Sequence, residues 1–143
     1  MTSLQIIGIL HINDMIEWTK NEGKVTYMVK GIGIDIVEIT RIKRAMDKNS
    51  RIVKRILTEN EYIHYTTLPT ERRKLEYVAG RFAAKEAYAK AAGTGLGKLS
   101  LQHIEILSNE CGAPEMFVQD ASYDIFLSIS HSEHYAVAQV VLT

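Results

Sequence analysis

The stretch from Glu71 to Ala92 constrains this chain more than any other. It is rich in alanine and straight-chain residues, it predicts one long helix, and Gly93 stands where a left-handed cap would stop it. Strand signals lie on either side. Upstream, Ile32, Ile34 and Ile36 alternate with Gly31, Gly33 and Asp35, the period-two pattern of a β-strand. Downstream, short apolar runs alternate with turns: Leu101 to Leu107, Met116 to Val118, Ile125 to Ser130 and Tyr135 to Leu142. They read as antiparallel strands, the last two joined as a hairpin through Ser132-Glu133-His134. A long helix among such strands is an α+β chain.

The remaining segments are shorter. Arg41 to Leu57 reads as helical and broken near Asn49-Ser50, with an imperfect apolar stripe of Ile42, Ala45, Met46, Ile52, Val53 and Ile56. Thr58-Glu59-Asn60-Glu61 fits a capping box, so a short helix should follow it and close before Pro69. With 143 residues and 46% hydrophobic content, one globular domain is expected. Residues 1–27 differ in character, and Met28 is a second candidate start, so the domain is read as 28–143. The first 27 residues are read as a leader or extension, natural or artificial, or as an added strand and helix.

Several functions are excluded early. Net charge is zero, so no global field draws the chain to nucleic acid, and no aromatic stacking platform is evident. The apolar run Leu4 to Leu10 falls far short of the roughly 20 residues of a membrane span. No basic leading segment or cleavage site marks secretion, and the single Cys111 excludes an intrachain disulfide and suits a reducing cytoplasm. Gly93-Thr94-Gly95-Leu96-Gly97-Lys98 follows a helix instead of opening one and lacks the final Ser/Thr of a P-loop. It is a flexible connection, or a loop whose small residues admit a phosphorylated ligand. His131 and His134 lack the further ligands that zinc needs.

Two clusters carry chemistry of their own. Asp35 shares a strand face with two glycines that let a backbone or a ligand approach closely, so it is a surface carboxylate or a cation ligand. Arg81, Lys85, Glu86 and Lys90 are grouped on the long helix, where Glu86 and Lys90, four apart, could form an ordinary ion pair. The polar side of Arg41 to Leu57 carries Arg41, Lys43, Arg44, Lys48, Arg51, Lys54 and Arg55 against Asp47 alone. That side is a solvated face or a surface for an acidic partner.

These features fall in the order found in bacterial holo-acyl-carrier-protein synthases. The matching pieces are Gly31-Ile32-Gly33-Ile34-Asp35 with Thr40-Arg41-Ile42, then Ile56-Leu57-Thr58 with Glu61, then Ala79-Gly80-Arg81-Phe82-Ala83-Ala84-Lys85-Glu86-Ala87 through Lys90 to Gly93-Thr94-Gly95, then Gly112-Ala113-Pro114, and last Ser128-Ile129-Ser130-His131. The chain from Met28 to Thr143 resembles a full-length member of that family. The resemblance implies a small α+β subunit of the 4′-phosphopantetheinyl transferase fold, an antiparallel sheet with one long helix, assembled as a homotrimer with active sites between subunits. It implies magnesium held by Asp35 and Glu86, with Lys90 as a cationic clamp on phosphate. Coenzyme A would meet Arg81, Lys90, Gly93, Thr94 and Gly95, with Ser130 and His131 coming from the adjacent subunit. The second partner would be acyl carrier protein, strongly acidic and met by Arg41, which matches the family's carrier-contacting arginine, with Arg44 and Arg51 beside it. The serine proton could pass to a metal-bound water, to Glu86 or to His131. Phe126 departs from the pattern, standing where several members carry a histidine.

Overall fold

The computed structural model describes residues 28–96 and 99–143; the leader expected over residues 1–27 lies outside them. Strand β1 (Gly31–Glu38) leads directly into helix α1 (Ile39–Lys48), followed by α2 (Arg51–Ile56), α3 (Glu59–Thr67) and α4 (Glu71–Ala91). Strands β2 (Ile104–Ser108), β3 (Pro114–Val118), β4 (Ile125–His131) and β5 (Tyr135–Leu142) complete the described chain.

Local chemistry accounts for most boundaries. The α1–α2 break falls at Asn49–Ser50 as the sequence suggests, with the Asn49 side chain accepting from the Arg51 amide at 3.0 Å. The capping box forms: Thr58 Oγ1 accepts from the Glu61 amide, and a Glu61 carboxylate oxygen accepts from the Thr58 amide at 2.7 Å. Thr70 caps α4 by accepting from the Arg73 amide. At the other end Gly93 adopts φ +68°, the left-handed turn for which glycine is suited.

One expectation is corrected. Leu101–His103 forms a single 3-10 turn, and the strand starts only at Ile104. Ser100 Oγ accepts from the Gln102 amide. The Gln102 side chain in turn reaches the carbonyls of Lys54, Arg55 and Leu57 at 3.0, 3.1 and 2.9 Å. That turn ties off the C-terminal end of α2, where carbonyls lack partners within the helix.

The strands form two antiparallel sheets: β1-β5-β4 and the separate hairpin β2-β3. In the first, β5 is central, Asp35 lies opposite Ala138, and Ser130 lies opposite Val137. Helix α4 packs on β1 and β5, burying Ala83, Ala84 and Ala87 in one core with the sheet residues Ala136, Ala138, Val140 and Leu142. The approach is unusually close. A Cβ on Gly33 would stand 1.9 Å from the Ala87 carbonyl oxygen, and one on Gly31 would stand 2.1 Å from that of Ala91. The glycines of β1 therefore admit another backbone, that of α4. The other face of β1 is turned outward, leaving Ile32, Ile34 and Ile36 62%, 59% and 63% exposed. This reverses the usual arrangement, in which the apolar side of a strand is the covered one.

Candidate active site

Because Gly33 brings β1 against Ala87, the neighbouring residues Asp35 and Glu86 enter one locality. Asp35 points along the same side of β1 as Gly33, and its side chain is only 15% exposed. Lys90, one turn beyond Glu86, donates to Asp35 Oδ1 at 2.7 Å and to the Ile34 carbonyl at 3.0 Å. The intrahelical Glu86–Lys90 pair allowed by the spacing gives way to this bond across to the strand. Burial pushes the Glu86 carboxyl above its ordinary range, and repulsion from Asp35 adds to it, while Lys90 and Arg41 pull it back. Two carboxylates, a lysine and the first arginine of α1 thus act on one another.

Arg81 lies elsewhere. It precedes Glu86 by five residues, which places it about 140° around the helix. It lines a cavity of about 200 Å³ with His64, Arg73, Glu76, Tyr77 and His131. The Arg81 guanidinium stacks 4.1 Å over the Tyr77 ring, and its Nε is buried with no hydrogen-bond partner among the described residues. A buried donor left unmatched is costly unless a ligand supplies an acceptor. Asp35, Glu86 and Lys90 are not part of this cavity. One chain therefore carries two separate clusters.

The other expected residues take their own places. Ser130 is exposed near the end of β4, and Phe126 is 44% exposed on the outward side of that strand. Gly93, Thr94 and Gly95 follow α4, but the amides of Thr94 and Gly95 already donate to the Ala89 carbonyl at 3.2 Å each. Positive φ at both glycines and open space at their Cβ positions leave room for a ligand beside the loop. Arg41, Arg44 and Arg51 are all exposed, and no carboxylate among the described residues lies within ion-pair distance of them. Lys43, by contrast, is paired with Asp47 at 2.6 Å.

Sequence reading missed the roles of Lys85, Arg73, Glu76, Tyr77 and His64, and of Glu61 it showed only the cap. Lys85 is wholly buried and donates to Glu61 Oε2 at 2.6 Å, to the Ile56 carbonyl at 2.6 Å and to the Leu101 carbonyl at 3.1 Å. Glu61 also accepts from the Ile106 amide. Breaking such a pair typically costs about 3–5 kcal/mol, so this node joins α4 to α2, α3 and β2. The cavity residues left a fainter trace. Arg73, Tyr77 and Arg81 recur every four residues, a common helix face that the spacing alone would have shown.

Comparison with known proteins places this geometry in a class. Residues 31–140 match the 4′-phosphopantetheinyl transferase superfamily. A holo-[acyl-carrier-protein] synthase of Oceanobacillus iheyensis is 53% identical over 116 residues, covering 80% of this chain and 97% of that protein. The crystal structure of the Bacillus anthracis holo-(acyl-carrier-protein) synthase in complex with CoA (3′,5′-ADP) superposes with a TM-score of 0.75 at 50% identity, covering 81% and 97% of the two chains. That of Neisseria meningitidis gives 0.74 at 37% identity, covering 81% and 99%. The chain belongs to the holo-acyl-carrier-protein synthases within that superfamily.

Proposed function

We propose that the chain transfers the 4′-phosphopantetheine arm of coenzyme A to a serine of apo-acyl carrier protein, releasing adenosine 3′,5′-bisphosphate and serving fatty acid biosynthesis in the cytoplasm. The observation that carries this is the meeting of Asp35, Glu86 and Lys90 where α4 lies directly on β1, in a chain of that family. The bond from the serine oxygen to phosphorus forms as the bond from phosphorus to the bisphosphate breaks. Glu86, or a water it holds, accepts the serine proton.

Two hard oxygen donors in mutual repulsion fit magnesium. No cluster of three or more His, Cys, Asp or Glu side chains able to hold a metal occurs among the described residues, so substrate phosphate and water would complete the shell. Magnesium, when bound, supplies charge compensation to the departing bisphosphate. Lys90 exchanges Asp35 for a phosphate oxygen and serves as a clamp. Arg81, held flat on Tyr77, offers its unmatched Nε to the nucleotide.

The two clusters become one site across a subunit boundary. Arg81, Ser130 and His131 of one chain would complete the Asp35–Glu86–Lys90 half of the next, in a homotrimer that covers the outward isoleucines of β1. Arg41, which acts on Glu86 electrostatically, puts the start of the basic helices beside the reacting centre, where an acidic carrier would dock with Arg44 and Arg51.

The test is to weigh apo-acyl carrier protein after incubation with the enzyme, coenzyme A and magnesium. Its mass should rise by one phosphopantetheine group, and coenzyme A alone should stay intact. Asp35→Ala and Glu86→Ala should each lower the transfer rate by at least about a hundredfold while keeping the fold. A carrier whose mass never changes, or consumption of coenzyme A without carrier, overturns the proposal.

A further inference from the structure

The cavity around Arg81 holds four basic side chains, Arg73, Arg81, His64 and His131, and one acid, Glu76. A carboxylate is the wrong sign for a pocket that receives phosphate, and like charges repel strongly where water is partly excluded. Yet Glu76 is only 10% exposed and fully engaged. Its Oε1 accepts from Arg72 Nε at 2.6 Å, its Oε2 accepts from Arg73 Nη1 at 3.1 Å, and His131 Nδ1 lies 3.9 Å from Oε2. The hydrogen bond from Arg72 holds the carboxyl below its usual range, with His131 and Arg73 adding to the effect against the cost of burial. Glu76 therefore stays ionised near neutrality.

Its first partner extends the connection. Arg72 Nη2 donates to the carbonyls of Ser132 at 3.3 Å and Glu133 at 2.9 Å, the turn that immediately follows His131. Through Arg72, then, Glu76 fixes the end of the β4–β5 hairpin to α4. Through its second oxygen it draws Arg73 and His131 to one wall of the cavity.

We propose that Glu76 is a positioning residue for the nucleotide of coenzyme A: it touches no substrate and instead holds Arg73 and His131 in place to receive a phosphate. This rests on the reading of the Arg81 cavity as the nucleotide half-site. A fixed pair of cations loses less freedom when the anion arrives than two mobile ones. The carboxylate is thus the organiser of an anion site and not a competitor for it.

The experiment measures coenzyme A and 4′-phosphopantetheine, which lacks the nucleotide, against the full chain. Glu76→Gln keeps the shape and removes the charge. It should weaken coenzyme A binding about tenfold, the size expected for losing a charge-assisted bond. The KM for coenzyme A should rise far more than kcat falls, the carrier KM should hold, and 4′-phosphopantetheine should inhibit both proteins equally. Glu76→Asp should recover part of the affinity, since the charge remains. In a His131→Gln background, Glu76→Gln should cost markedly less, because part of what it organises is gone. If Glu76→Gln fails to fold, the Asp variant and its non-additivity with His131→Gln carry the test. Coenzyme A affinity within twofold of wild type in a folded Glu76 variant, or full additivity with His131→Gln, overturns the inference. If Arg81→Ala also leaves coenzyme A binding unchanged, the half-site reading fails with it; if Arg81→Ala weakens binding and Glu76→Gln does not, only the positioning role falls.

Discussion

Glu86 sits where burial and the Asp35 charge both disfavour its ionised form. Its folded-state pKa is raised above that of the unfolded chain, so between the two values the folded protein keeps a proton that the unfolded chain has released. Stability therefore falls as pH rises through that window and remains lower at neutral pH. Glu86→Gln should raise the Tm of the ligand-free protein at pH 7, with the gain disappearing below the ordinary carboxylate range. Thermal unfolding against pH checks this, and an unchanged Tm at pH 7 would show that the site imposes no strain on its carboxylate. Lys85, one residue earlier, does the opposite service: its hydrogen bonds to Glu61, Ile56 and Leu101 brace the helix. The adjacency was legible and the division of labour was not. Residue types and order marked Asp35, Glu86 and Lys90, but spacing along one helix favoured a Glu86–Lys90 pair, and only the packing of α4 on β1 turned Lys90 toward Asp35. Glu61 was legible as a cap. Its bonds to Lys85 and Ile106 join segments 24 and 45 residues away, which no local pattern reports.

Among the elements, the contact of β1 with α4 carries the most weight. Gly33→Ala would drive a methyl group into the Ala87 carbonyl, 1.9 Å away, and backbone cannot move aside as a flexible side chain can. The cost should be about 3 kcal/mol or more, seen as a large fall in Tm, with activity falling even at temperatures where the chain stays folded, because Asp35 and Glu86 separate. Wild-type Tm would mean that α4 rides free of the strand. Helices α1 and α2 present the second testable element. Arg41→Glu with Arg44→Glu should raise the carrier KM about tenfold or more and leave coenzyme A binding near wild type, and rising salt should slow the wild type more than the variant. Carrier kinetics unchanged in both respects would make this a solvated face. The helices, their caps and the β4–β5 hairpin were readable because each is set by neighbours within a few residues. The split into two sheets was not, since strand partnership is decided by distant packing, and the apolar run at Leu101 concealed a turn held by Gln102.

At the scale of the whole molecule, the proposed sharing of sites between subunits makes a sharp forecast. Glu86→Ala destroys one half and Arg81→Ala the other, so each variant alone should be impaired. Mixed and reassembled in equal amounts, they should form intact sites wherever the right halves meet, up to about a quarter of all sites by random assortment in a closed cyclic assembly. Activity in the mixture well above that of either variant supports sharing, and no recovery despite verified mixing would confine the site to a single chain. The backbone contact of Gly33 with Ala87 has one more consequence. Nothing in it can be readjusted by a change of rotamer, so β1 and α4 must travel as a single rigid body. Any closure around a substrate then falls to parts of the chain outside that pair, and Asp35 and Glu86 keep their separation while it happens.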